Sequence, residues 1–197
     1  MTTNSRSTDL PVRTHKDYYT ALHQAALTIS SSLELEQVLQ SVVMSITEAM
    51  GVKGCVLRLL EPRTGGLQIA AVYGLSREYL AKGPVNINRS LIDSETLCGT
   101  PVFILDVRTD ERFQYKDAAK DEGIVSALCV PLEVRGNAIG VLRVYTGEPH
   151  TFHEDDIQFL TVLASLAALA IENANLYENL KQSYDGVMEV LWGTSLK

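Results

Sequence analysis

The sequence predicts a mixed fold, α/β of the α+β type, in which one antiparallel sheet carries helices from both ends of the chain on one face. Three observations lead there. Two β-hairpins can be read directly, over residues 54–73 and 126–145. Helical apolar stripes lie before the first hairpin and after the second. The 197 residues, 46% of them apolar, suffice for one core with helical extensions and fit two domains less well.

The elements follow in order. Residues 1–14 are rich in Thr, Ser and Arg without apolar periodicity, so a disordered lead-in is expected and a secretory signal is not. Tyr18, Leu22, Ala25, Ala26 and Ile29 recur at helical spacing until Ser30, Ser31 and Ser32 break it. Leu35, Val38, Leu39, Val42, Val43, Ile46 and Met50 form a second stripe, with Gly51 placed as a C-cap. Strands over 54–61 and 67–73 flank Pro62, Gly65 and Gly66. Residues 74–99 are loosely patterned, and such long connections in compact domains are usually functional. A short strand over 102–105 and a short helix over 113–122, ended by Gly123, come next. The strands 126–134 and 138–145 turn at Arg135-Gly136-Asn137. A long helix begins near Glu154, where Glu154, Asp155 and Asp156 suit its positive end, and runs to about Tyr184 or past Gly186. The expected division is a lead-in over 1–14, one domain with its terminal helices over 15–184, and a C-terminal tail over 185–197.

Composition narrows the function. A net charge of −7 with no basic run gives no nucleic-acid footprint. The most apolar stretch, residues 163–171, is far shorter than the ~20 residues of a spanning helix, so no membrane segment is expected. Cys55, Cys98 and Cys129 are odd in number and form no CxxC pair, which argues against a disulfide framework or a zinc site and for a reducing cytoplasm. His15, His23, His150 and His153 complete no metal-ligand cluster.

Several segments together are similar to the GAF domain family over about residues 33–177. They are Gly99-Thr100-Pro101-Val102-Phe103-Ile104-Leu105-Asp106-Val107; Glu122-Gly123-Ile124-Val125-Ser126-Ala127-Leu128-Cys129-Val130-Pro131-Leu132; Ile139-Gly140-Val141-Leu142-Arg143-Val144-Tyr145; and Phe152 followed by Asp155, Leu160, Leu163, Ala164, Ala170, Ile171, Glu172, Asn173 and Ala174. The resemblance implies a twisted sheet of strand order 2-1-5-4-3. Terminal helices would lie on one face, and lid segments would roof a small-molecule pocket on the other. It also implies a regulatory role, in which a bound ligand is reported along the terminal helices to a downstream signalling protein.

Enzymatic and cofactor-bearing branches of the family fit less well. Cys98-Gly99-Thr100 resembles one cysteine site of the free methionine sulfoxide reductases. The segment where that branch carries its catalytic cysteine reads Asp117-Ala118-Ala119-Lys120-Asp121 here. No histidine lies between Val52 and Glu148 to ligate a haem, and the bilin signature is missing. The Asn-Lys pair of cyclic-nucleotide binders is replaced by Thr146-Gly147. No enzyme activity, cofactor or metal is therefore expected. Cys55 and Cys129 read as small core hydrophobes. Cys98 stays open between an ordinary thiol and a redox switch.

The candidate binding residues centre on two arginines. Arg58 and Arg143 each interrupt an apolar strand. By the family's strand order these strands are neighbours, and the position of Arg143 belongs to the roofed face together with Tyr145. A buried arginine needs a partner. Either the pair holds an anionic ligand, with Arg143→Ala weakening binding in a still cooperative fold, or they join Asp106, Glu61 or Glu133 in a structural network. Ile92, Leu97, Cys98 and Val102 are candidates for the rest of the wall.

The last helix carries two stripes. Leu160, Leu163, Ala164, Ala167, Ala170, Ile171 and Ala174 suit close packing on the sheet. Phe159, Val162, Leu166, Leu169, Asn173, Leu176 and Leu180 alternate three- and four-residue steps as a coiled-coil seam. The second stripe predicts a homodimer, unless the helix over 18–29 covers it within one chain. The leading expectation is a ligand-sensing signalling module. Alternatives are a dimerisation module with a filled pocket and a Cys98-centred thiol switch.

Overall fold

The computed structural model of the protein describes residues 15–31 and 34–193. The expected lead-in over 1–14 lies outside the described residues, as do residues 194–197 of the expected tail. The chain runs α1 (His15–Ser31), α2 (Leu35–Met50), β1 (Gly54–Glu61), β2 (Gly66–Tyr73), α3 (Arg77–Leu80), β3 (Val85–Asn86), α4 (Leu91–Leu97), β4 (Val102–Ile104), α5 (Lys116–Glu122), β5 (Ser126–Val134), β6 (Asn137–Thr146) and α6 (Glu154–Gly193).

The six strands pair antiparallel in the order β3-β2-β1-β6-β5-β4. This is the expected five-strand order with one addition. The two-residue β3 comes from the loosely patterned connection and pairs with β2 at the sheet edge. It is too short to leave an alternating signature in sequence.

Local chemistry explains the boundaries. Gly51 closes α2 at φ 58°, and Gly123 closes α5 at φ 72°, both left-handed as a C-cap glycine allows. In the β5–β6 hairpin Val134 pairs with Asn137, leaving a two-residue turn. Arg135 and Gly136 both take positive φ there, which the right-handed strand twist favours. Gly140 of β6 faces a tighter constraint, because a Cβ at that position would lie 2.2 Å from the Arg58 carbonyl oxygen. Gly140→Ala should therefore cost about 1–3 kcal/mol, read as a lower denaturant midpoint at unchanged m. A midpoint equal to wild type would show that β1 and β6 separate freely at this point.

Side-chain alternation divides the sheet into two cores. Cys55, Leu57, Leu128, Val130, Leu132, Leu142 and Val144 face α1, α2 and α6. Val56, Ala127, Cys129, Val141 and Tyr145 face the opposite layer, built from residues 75–119. Leu160, Leu163, Ala164, Ala167, Ala170 and Ile171 of α6 are all buried, as their stripe predicts, and Ala174 is half-buried.

The last helix passes Gly186 and continues to Gly193, the longer of the two ends expected for it, so residues 185–193 of the expected tail are helical. Glu154–Met188 is also long and apolar enough to cross a membrane by length and composition alone. Counting only the uninterrupted run 163–171 missed this. In the fold, the apolar face around Leu160, Leu163 and Ala167 is committed to the sheet.

Candidate functional site: a roofed cationic cavity

Residues opposite one another across two strands share a face, and that places both arginines. Val56 pairs with Arg143, and Arg58 with Val141, so all four project from the floor of the roofed layer. Arg58 is 3% exposed and Arg143 5%. With Tyr145 they line one small cavity, together with Tyr79, Lys82, Val85, Ser90, Asp93, Phe113, Gln114 and Tyr115 from the roof.

The roof is assembled by capping and latching. Ser76 caps α3 by accepting from the Tyr79 amide at 3.1 Å, and its own amide donates to Glu122 Oε1 at 3.0 Å. This ties α3 to α5. Tyr79 then projects inward and meets Tyr145 edge-on, with ring centroids 5.9 Å apart. In α4, Ser90 Oγ donates to Asp93 Oδ2 at 2.5 Å. The other carboxylate oxygen, Asp93 Oδ1, accepts from Arg143 Nη2. A buried ion pair thus bolts the floor to the roof.

The arginine partner differs from those the sequence suggested. Asp106 pairs instead with Arg108 two residues on, at 2.7 Å, and that contact pulls its pKa down to about 2. Glu61 accepts from Thr64 and Gln68 around the first hairpin turn. Glu133 is exposed on β5. Asp93 had a signal in the sequence: Ser90-x-x-Asp93 is a capping-type spacing that draws a carboxylate back over the start of a helix.

Charge in the cavity is unbalanced. Burial is the largest influence on Arg143 and opposes its charged form, but the Asp93 carboxylate, Cys129 and Tyr145 together outweigh it and hold the guanidinium pKa well above its ordinary value. Arg58 makes no ion pair among the described residues. Lys82 is half-buried, with Nζ 3.5 Å above the Tyr79 ring and donating to the Tyr79 carbonyl at 3.1 Å. Burial first, and then the charges of Arg58 and Arg143, lower its pKa to about 7. Burial, then Tyr145 beside it, raises the Tyr79 pKa, so its hydroxyl stays protonated.

Three polar atoms in this layer are buried without a hydrogen-bond partner: Tyr79 Oη, Gln114 Oε1 and Arg143 Nε. All three residues line the same cavity. Its volume is about 10 Å³, room for one water molecule. A groove of about 590 Å³ lies beside it at the sheet edge, lined by Leu67, Ile69, Leu80, Pro84, Arg89 and others. Arg58 and Val85 line both spaces. The segment between them is held by Tyr115 Oη donating to the Pro84 carbonyl at 2.7 Å. Gly83 inside it sits at φ 120°, a conformation side-chain-bearing residues rarely adopt.

The remaining sequence candidates stand elsewhere. Ile92 and Val102 are buried in the apolar packing of the roofed layer, and Leu97 is half-buried against it. Cys98 is exposed at the end of α4. Cys55 and Cys129 are buried, and burial raises both thiol pKa values, as expected of core side chains. Tyr79, Lys82, Gln114 and Tyr115 escaped sequence reading because nothing in their spacing marks an inward-facing residue within a short, irregular lid.

The arrangement of six strands, helical face and roofed cavity can now be set beside known proteins. A GAF domain profile matches residues 34–171, more than half of the chain. The chain belongs to the GAF domain family. It is 22% identical over 174 residues to a Nif-specific regulatory protein of Herbaspirillum seropedicae, covering 82% of this chain and 32% of that protein. The chain thus spans about a third of that relative's length. Among solved structures it resembles the GAF domain of a phosphoenolpyruvate-protein phosphotransferase from Coxiella burnetii, with TM-score 0.73, 22% identity, and 83% and 98% of the two chains covered. It also resembles the free methionine-R-sulfoxide reductase of Neisseria meningitidis, solved with its substrate, with TM-score 0.70, 21% identity, and 83% and 95% covered. At these identities the likeness to the solved structures establishes the fold. Homologous GAF domains are sensory and regulatory modules of signalling proteins.

Proposed function

We propose that this GAF domain is a non-enzymatic sensor that binds a small anion in the roofed cavity and reports it through α6 to a second copy and a downstream signalling protein. The supporting observation is the convergence of three unpartnered buried polar atoms and the unpaired Arg58 on one cavity. Unmet buried donors and acceptors cost about 1–3 kcal/mol each, a cost that a bound polar ligand removes. Around the cavity two guanidiniums and an amine face one carboxylate, so an anion suits it better than a cation or a neutral ligand. Movement of the 82–85 segment would join the cavity to the neighbouring groove and admit a molecule larger than water.

Mass spectrometry of gently purified protein should reveal a co-purifying anion, or a panel of small carboxylates and phosphates should raise its melting temperature. Arg58→Leu should then weaken the bound anion by about tenfold to a hundredfold, the range for losing one charge-assisted hydrogen bond. An identified ligand whose affinity is unchanged by Arg58→Leu would end this assignment.

The cavity's small volume favours a second reading, a dimerisation module whose pocket is filled by Tyr79, Phe113, Tyr115 and Tyr145. Failure of every anion to protect the fold would select it. A thiol-based activity has less support, since Cys55 and Cys129 are buried in strands and offer exposed Cys98 no accessible resolving partner. Three free cysteines suit the reducing cytoplasm proposed as the protein's location.

A further inference from the structure

We propose that Lys82 captures its ligand covalently, forming an imine with a small aldehyde or ketone that carries an anionic group. This deepens, and rests on, the reading of the cavity as an anion site. The geometry comes first. Lys82 lines the same cavity as Arg58 and Arg143, so once movement of the 82–85 segment opens that cavity to the groove, an anionic group seated on a guanidinium brings an attached carbonyl toward Nζ. The amine is anchored at the cavity's edge by the Tyr79 carbonyl and rests on the Tyr79 ring. Tyr115 forms the other side, its ring centroid 5.8 Å from Nζ. Tyr79 Oη, buried and without a partner, is available to donate to a carbonyl oxygen.

The groups that set the charge of Lys82 come from every element around it. Arg58 of β1 and Arg143 of β6 repel its protonated form. Glu122 of α5 and Asp93 of α4 favour it, and burial opposes it most strongly. The balance leaves the pKa at about 7, so a large share of Lys82 is the neutral, nucleophilic amine at neutral pH. An exposed lysine, with a pKa of about 10.4, is almost wholly protonated there.

The step balances without a further reactant. The Nζ lone pair forms a C–N bond as the carbonyl π bond breaks. One nitrogen-bound proton passes to the oxygen, giving a carbinolamine. The hydroxyl then leaves with the second nitrogen-bound proton as water, and the C=N bond forms. Nothing is oxidised or reduced, and addition of water reverses the capture. Reversibility is what a sensor needs. The imine would also remove a neutral amine from the roof and tether the 82–85 segment to whatever the arginines hold.

The test uses glyoxylate as the probe and cyanoborohydride as the trap, followed by peptide mapping of carboxymethyl-lysine. Lys82 should be modified at least about tenfold faster than exposed Lys53, Lys120 and Lys181. Its rate should rise as pH passes about 7 and then level off. Arg58→Leu should slow trapping at Lys82 and leave the surface lysines unchanged. Even labelling across all lysines would overturn the proposal. Glycolate, the same anion without the carbonyl, separates the two ideas. If glycolate raises the melting temperature but glyoxylate leaves no adduct on Lys82, the anion site stands and covalent capture falls. If neither acts, both fall.

Discussion

Arg143→Ala is expected to destabilise the fold by about 3–5 kcal/mol, the cost of breaking a buried ion pair from one side. The side chains of Arg143 and Asp93 are 6% and 1% exposed, and they join β6 to α4 across fifty residues of chain. Truncation leaves the Asp93 carboxylate with Ser90 Oγ as its hydrogen-bond partner and without the guanidinium that pairs with it. That carboxylate must then draw water into the roof. The sequence left two alternatives for this substitution: weaker ligand binding in a still cooperative fold, or the breaking of a structural network. The contact with Asp93 makes Arg58 the better position for testing ligand affinity. Urea unfolding measures the effect as a fall in midpoint at unchanged m. The double variant Arg143→Met/Asp93→Leu should recover most of the loss, because replacing both partners removes the orphaned charge as well as the pair. A single-variant loss below about 1 kcal/mol would mean that water already solvates the pair, as at an exposed ion pair.

How much of this was legible in the sequence depended on the length of the regular elements. The stripe from Leu35 to Met50 repeats one signal several times, and the apolar runs of β1 and β6 and the Arg135-Gly136-Asn137 turn are set by residues within the element itself. Their positions survive tertiary packing for that reason. The strand order and the roofed face were not legible in periodicity and came from the resemblance. Once they were known, alternation placed Arg58, Arg143 and Tyr145 together. The roof was the illegible part. Its elements, α3, β3 and α4, have 4, 2 and 7 residues, too few for a period to establish itself. Their directions are set instead by contacts distant in sequence, such as Ser76 with Glu122 and Asp93 with Arg143. The partners proposed for the arginines were the acids at conspicuous strand ends. The acid that pairs lies in a seven-residue helix, and only Ser90 three residues earlier hinted at its orientation.

Substituting Leu169 and Leu176 with Glu is expected to turn a dimer of this protein into a monomer. The 40 residues of α6 span about 60 Å, and the domain's own core ends near Ile171, less than halfway along. Beyond that point the seam continues with nothing among the described residues to cover it, since Leu176 is 53% exposed and Leu180 70%. Val162 and Leu169, on the same seam beside the domain, are 40% and 48% exposed. Two seam residues are already satisfied within the chain. Phe159 is buried against Tyr18 of α1, ring on ring at 4.0 Å, and Leu166 is partly buried against the helical core. Thus α1 covers the start of the seam and leaves the remainder. A second α6 matches that remainder in length and spacing, with exposed Asn173 placed to fix register by pairing with its counterpart at some cost in stability. Leu166→Glu is a poor probe, because a charge there also disturbs the core. At Leu169 and Leu176 a carboxylate is solvated in the monomer and buried without a cation in the dimer, so the pair should weaken association by about a hundredfold or more while helical circular dichroism of the domain persists. Sedimentation equilibrium at micromolar concentration reads the result: a dimeric mass for wild type and a monomeric one for the double variant. A monomeric wild type would rule out the seam as an interface, and an unaltered dimer in the double variant would move the interface elsewhere.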